Sequence, residues 1–330
     1  MSTASMRAIV CRTTGRPDDL RLQVLAKPVA ADHDIVVRVQ ASSVNPVDFF
    51  PLTPVAYRAR WLKAIGRPKP VVPGTDFAGT VESVGPAVTQ FKPGDAVFGG
   101  HPGAFAEYVS IGESGAIVQK AGSVSFQQAA ALPVAAITAL QAVRDHGRIK
   151  AGQKVLINGA SGGVGSFTVQ LAKIFGGELT AVCSPRNLET ARSLGADRVV
   201  DYTREDFTRS SERYDVLLDI AGSHSWSESS RVLKPKGRYV LVGASSYTVY
   251  GGSGAIMHIL RTRMASLFSS RKFAFFIAKL TKGDLAFLGE LLAAGRLKSV
   301  IEREYTLDQV PEAMNDMGAG HMRGKVVICL

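Results

Sequence analysis

The sequence predicts an α/β protein in two parts: a β domain of barrel or Greek-key type, then a doubly wound parallel sheet. Three observations carry that expectation. Short strand-like runs and turns fill the chain from Met6 to about Phe126. From Glu178 to Val242, strands alternate with helices. Between these regions stands Val155-Leu-Ile-Asn-Gly-Ala-Ser-Gly-Gly-Val-Gly165, an apolar strand running into a glycine turn and a helix. Many short strands close in sequence favour a barrel or Greek key, and strand–helix alternation favours a parallel sheet. A length of 330 residues suits about two domains.

Arg7 to Cys11, Asp34 to Gln40 and Phe77 to Val84 have strand composition. Pro93-Gly94-Asp95 turns the chain between Phe91 and Ala96-Val97-Phe98, and Phe105 to Ile111 reads as a further strand. Gln127 to Arg144 is alanine-rich and periodic, a helix pair broken near Pro133. Glu178 to Cys183, Arg198 to Asp201, Val216 to Ile220, Arg238 to Val242 and Phe273 to Ile277 are expected strands. Leu188 to Leu194 and Ser225 to Leu233 are expected helices. Thr281 to Ala294 is a longer helix, opened by Thr281 and Asp284 in the manner of a capping box and stopped by Gly295. Lys325 to Leu330 is strand-like and, standing alone, needs a partner already in place, which returns it to the β domain. The expected boundaries are 1–125, 126–281 and 282–330, the last piece completing the first.

The glycine turn is a phosphate site. Gly159, Gly162 and Gly165 let the backbone approach a pyrophosphate, with Ser161, Gly163 and Val164 filling the turn between them. The helix that begins at Val164 offers free N–H groups and its positive dipole end. Gly-x-x-Gly-x-x-Gly is a weak pattern by itself; here it has the strand before it and the helix after it. Such a sheet binds its ligand at the carboxyl ends of its strands, so Gly243, after Arg238 to Val242, joins the cofactor-binding set.

Cofactor choice is decided just after the second strand, about 20 residues beyond the turn, where NAD sites usually place an acid. This chain has Cys183-Ser184-Pro185-Arg186-Asn187, with no acid until Glu189. Ser184 and Asn187 can hydrogen-bond a ribose, and Arg186 can pair with a 2′-phosphate. The pattern favours NADPH over NADH. The competing reading is a polar loop that merely caps the helix at Leu188.

Bulk properties narrow the function. Net charge is +11, from 39 basic and 28 acidic residues. That balance suits an anionic cofactor, a membrane surface or nucleic acid, but no zinc-finger spacing, RNA-binding aromatic motif or long basic tail supports nucleic acid. No apolar run approaches the ~18 residues a membrane span needs. Cys11, Cys183 and Cys329 are few and scattered, and the N-terminus lacks a signal pattern; a reducing cytoplasm is the expected location. Neither the cysteines nor the six histidines show metal-ligand spacing, so no metal site is expected.

Several segments resemble one family: Ala41-Ser-Ser-Val-Asn-Pro-Val-Asp48, Pro73-Gly-Thr-Asp-Phe-Ala-Gly79, Phe91-Lys-Pro-Gly-Asp-Ala-Val-Phe-Gly99, Ala130-Ala-Leu-Pro133, the glycine turn and Gly324-Lys-Val-Val327. Along nearly its whole length the chain resembles the zinc-independent quinone oxidoreductases and enone reductases of the medium-chain dehydrogenase/reductase superfamily. The resemblance implies a GroES-like β domain built from both ends of the chain, packed on a central Rossmann domain. It implies a nicotinamide in the cleft between domains near Asn45, Asp48 and Thr138, and Tyr202 and Lys173 near the adenosine phosphate. It also implies a homodimer through the Rossmann domain. Zinc relatives carry Cys at the position of Asn45 and Gly-His-Glu at Gly74-Thr75-Asp76, and four clustered cysteines for a structural zinc. Both sets are absent here. Short-chain reductases, a competing class, open with their glycine turn near the N-terminus and use Tyr-x-x-x-Lys, which this chain lacks.

Without a metal, an alcohol is hard to activate, whereas a quinone or an α,β-unsaturated carbonyl accepts hydride directly. The expected activity is therefore NADPH-dependent reduction of such an acceptor. The alternative is a non-catalytic NADPH-binding sensor or structural protein. Asn45, Asp48, Tyr57 and Tyr247 are the catalytic candidates, with Tyr250 a further tyrosine; Asn45 and Asp48 read equally as turn residues around Pro46, and the tyrosines as packing residues. Between Ala255 and Gly283 basic residues and apolar residues interleave with no acid. That stretch suits peripheral membrane contact, an active-site lid or a subunit interface.

Overall fold

The computed structural model describes residues 4–63, 69–242, 245–320 and 322–330. The chain divides into two units, Met1–Val134 with Leu280–Leu330, and Ala135–Lys279. The first is therefore discontinuous in sequence and the second continuous.

In the first unit, β1 (Ser5–Val10) and β2 (Arg21–Ala26) pair as an antiparallel two-stranded sheet. A seven-stranded sheet is centred on β3 (Asp34–Ser43) and β4 (Asp76–Val84). It takes in β5 (Ala96–Gly100), β6 (Tyr108–Gly112), β7 (Ile117–Gln119), β14 (Ile301–Thr306) and β15 (Lys325–Cys329). The order is β14-β15-β3-β4-β5-β7, with β6 also on β3. Alternate residues along β3 serve one face, so Ile35, Val37 and Val39 pack with Phe77, Val81, Val97 and Ile117. A second core gathers Ile9, Val44, Phe105, Tyr305 and Ile328 from both ends of the chain. Close pairing of β3 and β4 requires glycine at 79, where a Cβ would stand 2.0 Å from the Arg38 carbonyl oxygen.

Helices α1 (Pro54–Lys63) and α2 (Phe126–Ala130) belong to this unit, as do α8 (Lys282–Ala293) and α9 (Val310–Gly318). A capping box between Ser125 and Gln128 starts α2, and Thr281 caps α8 by accepting from the Asp284 amide. The division falls after Val134 rather than after residue 125, because α2 packs on β3 and β4. Helix α3 (Pro133–Gln141) follows, as the break at Pro133 requires.

The second unit holds six parallel strands: β8 (Lys154–Asn158), β9 (Glu178–Cys183), β10 (Arg198–Asp201), β11 (Tyr214–Asp219), β12 (Leu233–Val242) and β13 (Lys272–Phe276). Their order is β10-β9-β8-β11-β12-β13. Helices α4 (Gly163–Ile174), α5 (Leu188–Ser193), α6 (Trp226–Arg231) and α7 (Ser245–Leu267) connect them. Val155, Leu156 and Ile157 are wholly buried, as a central strand covered on both faces demands. The sequence order reverses between β8 and β11, and Gly159 leaves the sheet at that point. Open parallel sheets bind ligands at such a reversal.

Two of the expected strands depart by several residues from their expected bounds. Residues 105–107 lie outside β6: Ala106 makes an isolated bridge to Ala8, and Phe105 accepts from the Ile9 amide. β12 starts at Leu233 instead of Arg238, with Lys236 at positive φ inside it. At the carboxyl end of β11, buried Asp219 accepts from Asn158 Nδ2, the Gly222 amide and the Tyr239 hydroxyl, each at 2.8 Å. Burial raises the pKa of its carboxyl, against these three donors. Tyr239→Phe removes one donor from a buried carboxylate and is expected to cost about 1–3 kcal/mol, read as a lower urea midpoint with an unchanged slope.

Candidate active site

Asn45 and Asp48 face each other because they open a short 3₁₀ helix, Pro46–Leu52. Pro46 suits its first position, and the Asp48 carboxylate (Oδ2) accepts from the Asn45 amide at 2.7 Å. The other Asp48 oxygen accepts from the Thr75 hydroxyl at 2.8 Å. Asn45 Nδ2 donates to Asp76 Oδ2 at 2.9 Å and to the Ser43 carbonyl at 3.2 Å. Its Oδ1 accepts from the Lys325 ammonium, which also donates to the Val44 carbonyl at 3.1 Å and stands 3.5 Å from Asp76 Oδ2. Asp76 receives further donors: Ser43 Oγ at 2.8 Å, and the Val134 amide at 2.9 Å on Oδ1. Asn45, Asp48, Asp76 and Lys325 are all at most 3% exposed.

The result is a buried cluster of two carboxylates and one ammonium with its amide oriented at both ends. Burial lowers the pKa of Lys325 and raises that of Asp76, and the pair's mutual attraction opposes both shifts. Asp48 is pushed up to about 7, chiefly by burial, with the Thr75 hydrogen bond opposing. Asn45 and Asp48 are the expected site residues of this cluster; Asp76 and Lys325 join them only in the fold. The available signal was a lysine at the head of the apolar run Lys325-Val-Val-Ile, a charge at a position that strand burial makes costly. Among the described residues, no group of three or more His, Cys, Asp or Glu side chains is placed to hold a metal ion.

Tyr57 lies on α1, edge-on to Trp61 and beneath the Arg60 guanidinium, away from this cluster's hydrogen bonds. The side chains of Tyr247 and Tyr250, and Gly243, lie outside the described residues. Thr138 is buried on α3, in the second unit.

In that unit the glycine turn has the shape a pyrophosphate requires. Gly159 sits at φ +86°, and the Gly159 and Ala160 amides donate to Val182 of β9. A Cβ on Gly165 would stand 2.1 Å from the Gly159 carbonyl oxygen, so turn and helix pack too closely for a side chain. A Cβ on Gly162 would meet nothing within 4 Å, which leaves the outer wall of the turn open. Gly162 is the N-cap of α4 and supplies no side-chain cap, so the first N–H groups stay available. No acid occupies the first turn of α4. Ser161, Gly163 and Val164 are partly exposed around this opening.

Beside it, the loop after β9 brings Ser184, Arg186 and Asn187 together. Asn187 Nδ2 donates to Ser184 Oγ at 2.8 Å, while Asn187 Oδ1 is buried without a partner. Arg186 is exposed and, among the described residues, unpaired. Neighbouring acids are engaged elsewhere: Asp201 accepts from the Thr203 amide and hydroxyl, and Glu189 pairs with Arg192. Tyr202, 60% exposed, adjoins this loop through its amide on the Cys183 carbonyl. Lys173 requires a correction. It stands about 15 Å along α4 from the glycine turn, at the edge where β9 begins, and pairs with Asp197 at 2.6 Å. That is the sheet edge opposite the strand carboxyl ends.

The buried cluster makes two predictions. Lys325→Met leaves Asp48 and Asp76 without their cation and is expected to cost about 3–5 kcal/mol of stability, measured by chemical denaturation. Asp48 has a folded pKa above its ordinary 3.8, so the folded state holds the proton longer. Its stabilising contribution is full below pH 3.8 and is lost as pH rises to about 7. Asp48→Asn mimics the protonated form and should remove a slope approaching ~1.4 kcal/mol per pH unit across that window, seen by comparing unfolding free energies with wild type.

Comparisons with known proteins bear on the fold and the family. Residues 31–142 match the alcohol dehydrogenase GroES-like domain model, and residues 194–328 the zinc-binding dehydrogenase model. The chloroplastic quinone-oxidoreductase QR1 of Triphysaria versicolor is 31% identical, over 91% of this chain and 91% of the relative. The chloroplastic NADPH-dependent alkenal/one oxidoreductase of Arabidopsis thaliana is 31% identical, over 98% of this chain and 79% of the relative. The solved quinone oxidoreductase of Coxiella burnetii superposes with a TM-score of 0.87 at 30% identity, covering 99% of this chain and 100% of its own. A GroES-like sheet closed by both chain ends, a parallel sheet carrying a glycine turn, and these relatives lead to one conclusion: the chain belongs to the zinc-independent quinone oxidoreductase and enone reductase family of the medium-chain dehydrogenases/reductases and is a pyridine-nucleotide-dependent oxidoreductase.

Proposed function

We propose that this oxidoreductase uses NADPH to reduce a quinone or an α,β-unsaturated carbonyl compound, without a metal. The observation that carries the reading is the buried cluster. At the positions where zinc relatives keep Cys, His and Glu, this chain has Asn45, Thr75 and Asp76, and Asn45 and Asp76 are closed around the Lys325 ammonium. Such a cluster supports an acceptor that needs no metal to become electrophilic.

When bound, reduced nicotinamide supplies the hydride. The chain's own residues hold and orient. Gly159 to Gly165 and the α4 N-terminus bind the pyrophosphate. Unpaired Arg186 takes the 2′-phosphate, and Ser184, Asn187 and Tyr202 line the ribose side. Asn187 Oδ1, buried with no donor of its own, fits a sugar hydroxyl. Burial raises the pKa of the Asp48 carboxyl to about 7, and Thr75, whose hydroxyl contacts it, is partly exposed as a residue, so this pair can relay a proton toward the reduced oxygen. Asn45 keeps its amide committed to Asp76 and Lys325, which suits a positioning role.

Assembly and location complete the reading. β13 forms an edge of the six-stranded sheet, which supports a homodimer through that strand. The three cysteines are unpaired, which supports a reducing compartment such as the cytoplasm.

NADPH consumption against a panel of quinones and enones, before and after chelator treatment, tests the activity. Turnover of at least one class, unchanged by chelation, is expected; activity lost on chelation and restored by zinc overturns the reading. Arg186→Ala should weaken NADPH about ten- to hundred-fold, as the loss of one charge-assisted pair implies, and NADH little. Equal weakening in a binding titration removes Arg186 from the 2′-phosphate site.

A further inference from the structure

Helix α7 displays an apolar stripe that the second unit does not cover. At about 100° per residue, Ile256, Met257, Leu260, Met264 and Leu267 share a sector of about 100°. They are 52%, 49%, 51%, 57% and 69% exposed, and Phe268, just past the helix end, is 89% exposed. The opposite side of the helix faces inward: Thr262 is 2% exposed, and Ile259 packs on the core with Trp226 and Phe273. An apolar side that is outward while the other side is buried is not a misplaced core face. It is a surface with something to cover it.

Charge decides what covers it. Arg261 and Arg263, both exposed, border the apolar sector on its two sides. From Ser229 to Gly283 the chain has ten Lys and Arg and no Asp or Glu. A second copy docking stripe to stripe would set these cationic borders against each other with no acid in the segment to relieve them. An anionic bilayer surface fits both features at once. Its acyl boundary takes the apolar side chains, and its phosphates take the guanidinium groups at the rim. No helix among the described residues is long and apolar enough to span a membrane, so the stripe lies in the interface plane.

We propose that α7 is a peripheral docking surface for anionic phospholipid bilayers, with Leu260, Met264 and Leu267 inserted and Arg261 and Arg263 at the headgroups. A lipophilic acceptor dissolved in such a bilayer would then be presented to the enzyme at the membrane, although docking itself does not depend on what the enzyme reduces.

Sedimentation of the purified full chain with vesicles of phosphatidylcholine, with and without phosphatidylserine, tests this. Binding is expected to the mixed vesicles at low salt, weakened by added salt and much weaker on phosphatidylcholine alone. Arg261→Gln with Arg263→Gln should weaken it about thirty-fold, two basic residues' share. Leu260→Glu with Leu267→Glu should abolish it while thermal unfolding and NADPH-dependent turnover stay as in wild type. Three results overturn the proposal. One is wild-type protein left in the supernatant with phosphatidylserine vesicles at low salt. Another is undiminished binding by the folded double-Glu variant, and the third is conversion of an oligomer to monomer by that variant, which assigns the stripe to a second copy.

Discussion

The buried ammonium of Lys325 is the constraint on which the first unit depends. Two carboxylates, Asp48 and Asp76, sit out of water beside it, and neither would tolerate that burial ionised without a cation. Each member also fixes backbone. Asp48 starts the 3₁₀ helix, Asp76 starts β4 and receives the amide that opens α3, and Lys325 heads β15. The cluster thus gathers the starts of four segments around one cation. The Asn45 amide is oriented as a by-product, since only one of its two orientations satisfies Lys325 and Asp76 together.

The second unit solves a different problem with less chemistry. Its binding edge is mostly backbone: a turn without side chains at Gly159, Gly162 and Gly165, and the start of α4. Polar side chains gather in the loop after β9, where Ser184, Arg186 and Asn187 lie together. The Asn158–Asp219–Tyr239 group ties β8, β11 and β12 together beneath the turn.

What the sequence made legible follows from periodicity. β8 and β9 were readable because buried parallel strands are nearly continuous apolar runs, and α8 because Thr281 and Gly295 punctuate it. β2 was not, since every residue of Arg21–Ala26 is exposed or half-exposed and none marks a buried face. β14 was hidden for the same reason: Glu302, Arg303 and Glu304 interrupt it, and its place is set by pairing with β15. In the site, the glycine turn is local and declared itself. The Lys325 contact spans 280 residues of sequence and could not, because no local pattern says which acid a buried lysine will find. The placement of Lys173 failed for a geometric reason, as a helix carries its last turn to the far edge of the sheet.

The discontinuity of the first unit also orders the making of the protein. A chain emerging from the ribosome presents β3 and β4 long before β15, whereas the six parallel strands of the continuous unit emerge together. Domains fold as units during synthesis, and contacts distant in sequence are slow to close. Until β15 is synthesised, Asp48 and Asp76 lack their counter-ion and β3 lacks its β15 neighbour. During that interval the nascent first half carries an unfinished sheet edge at β3, the kind of surface on which molecular chaperones act.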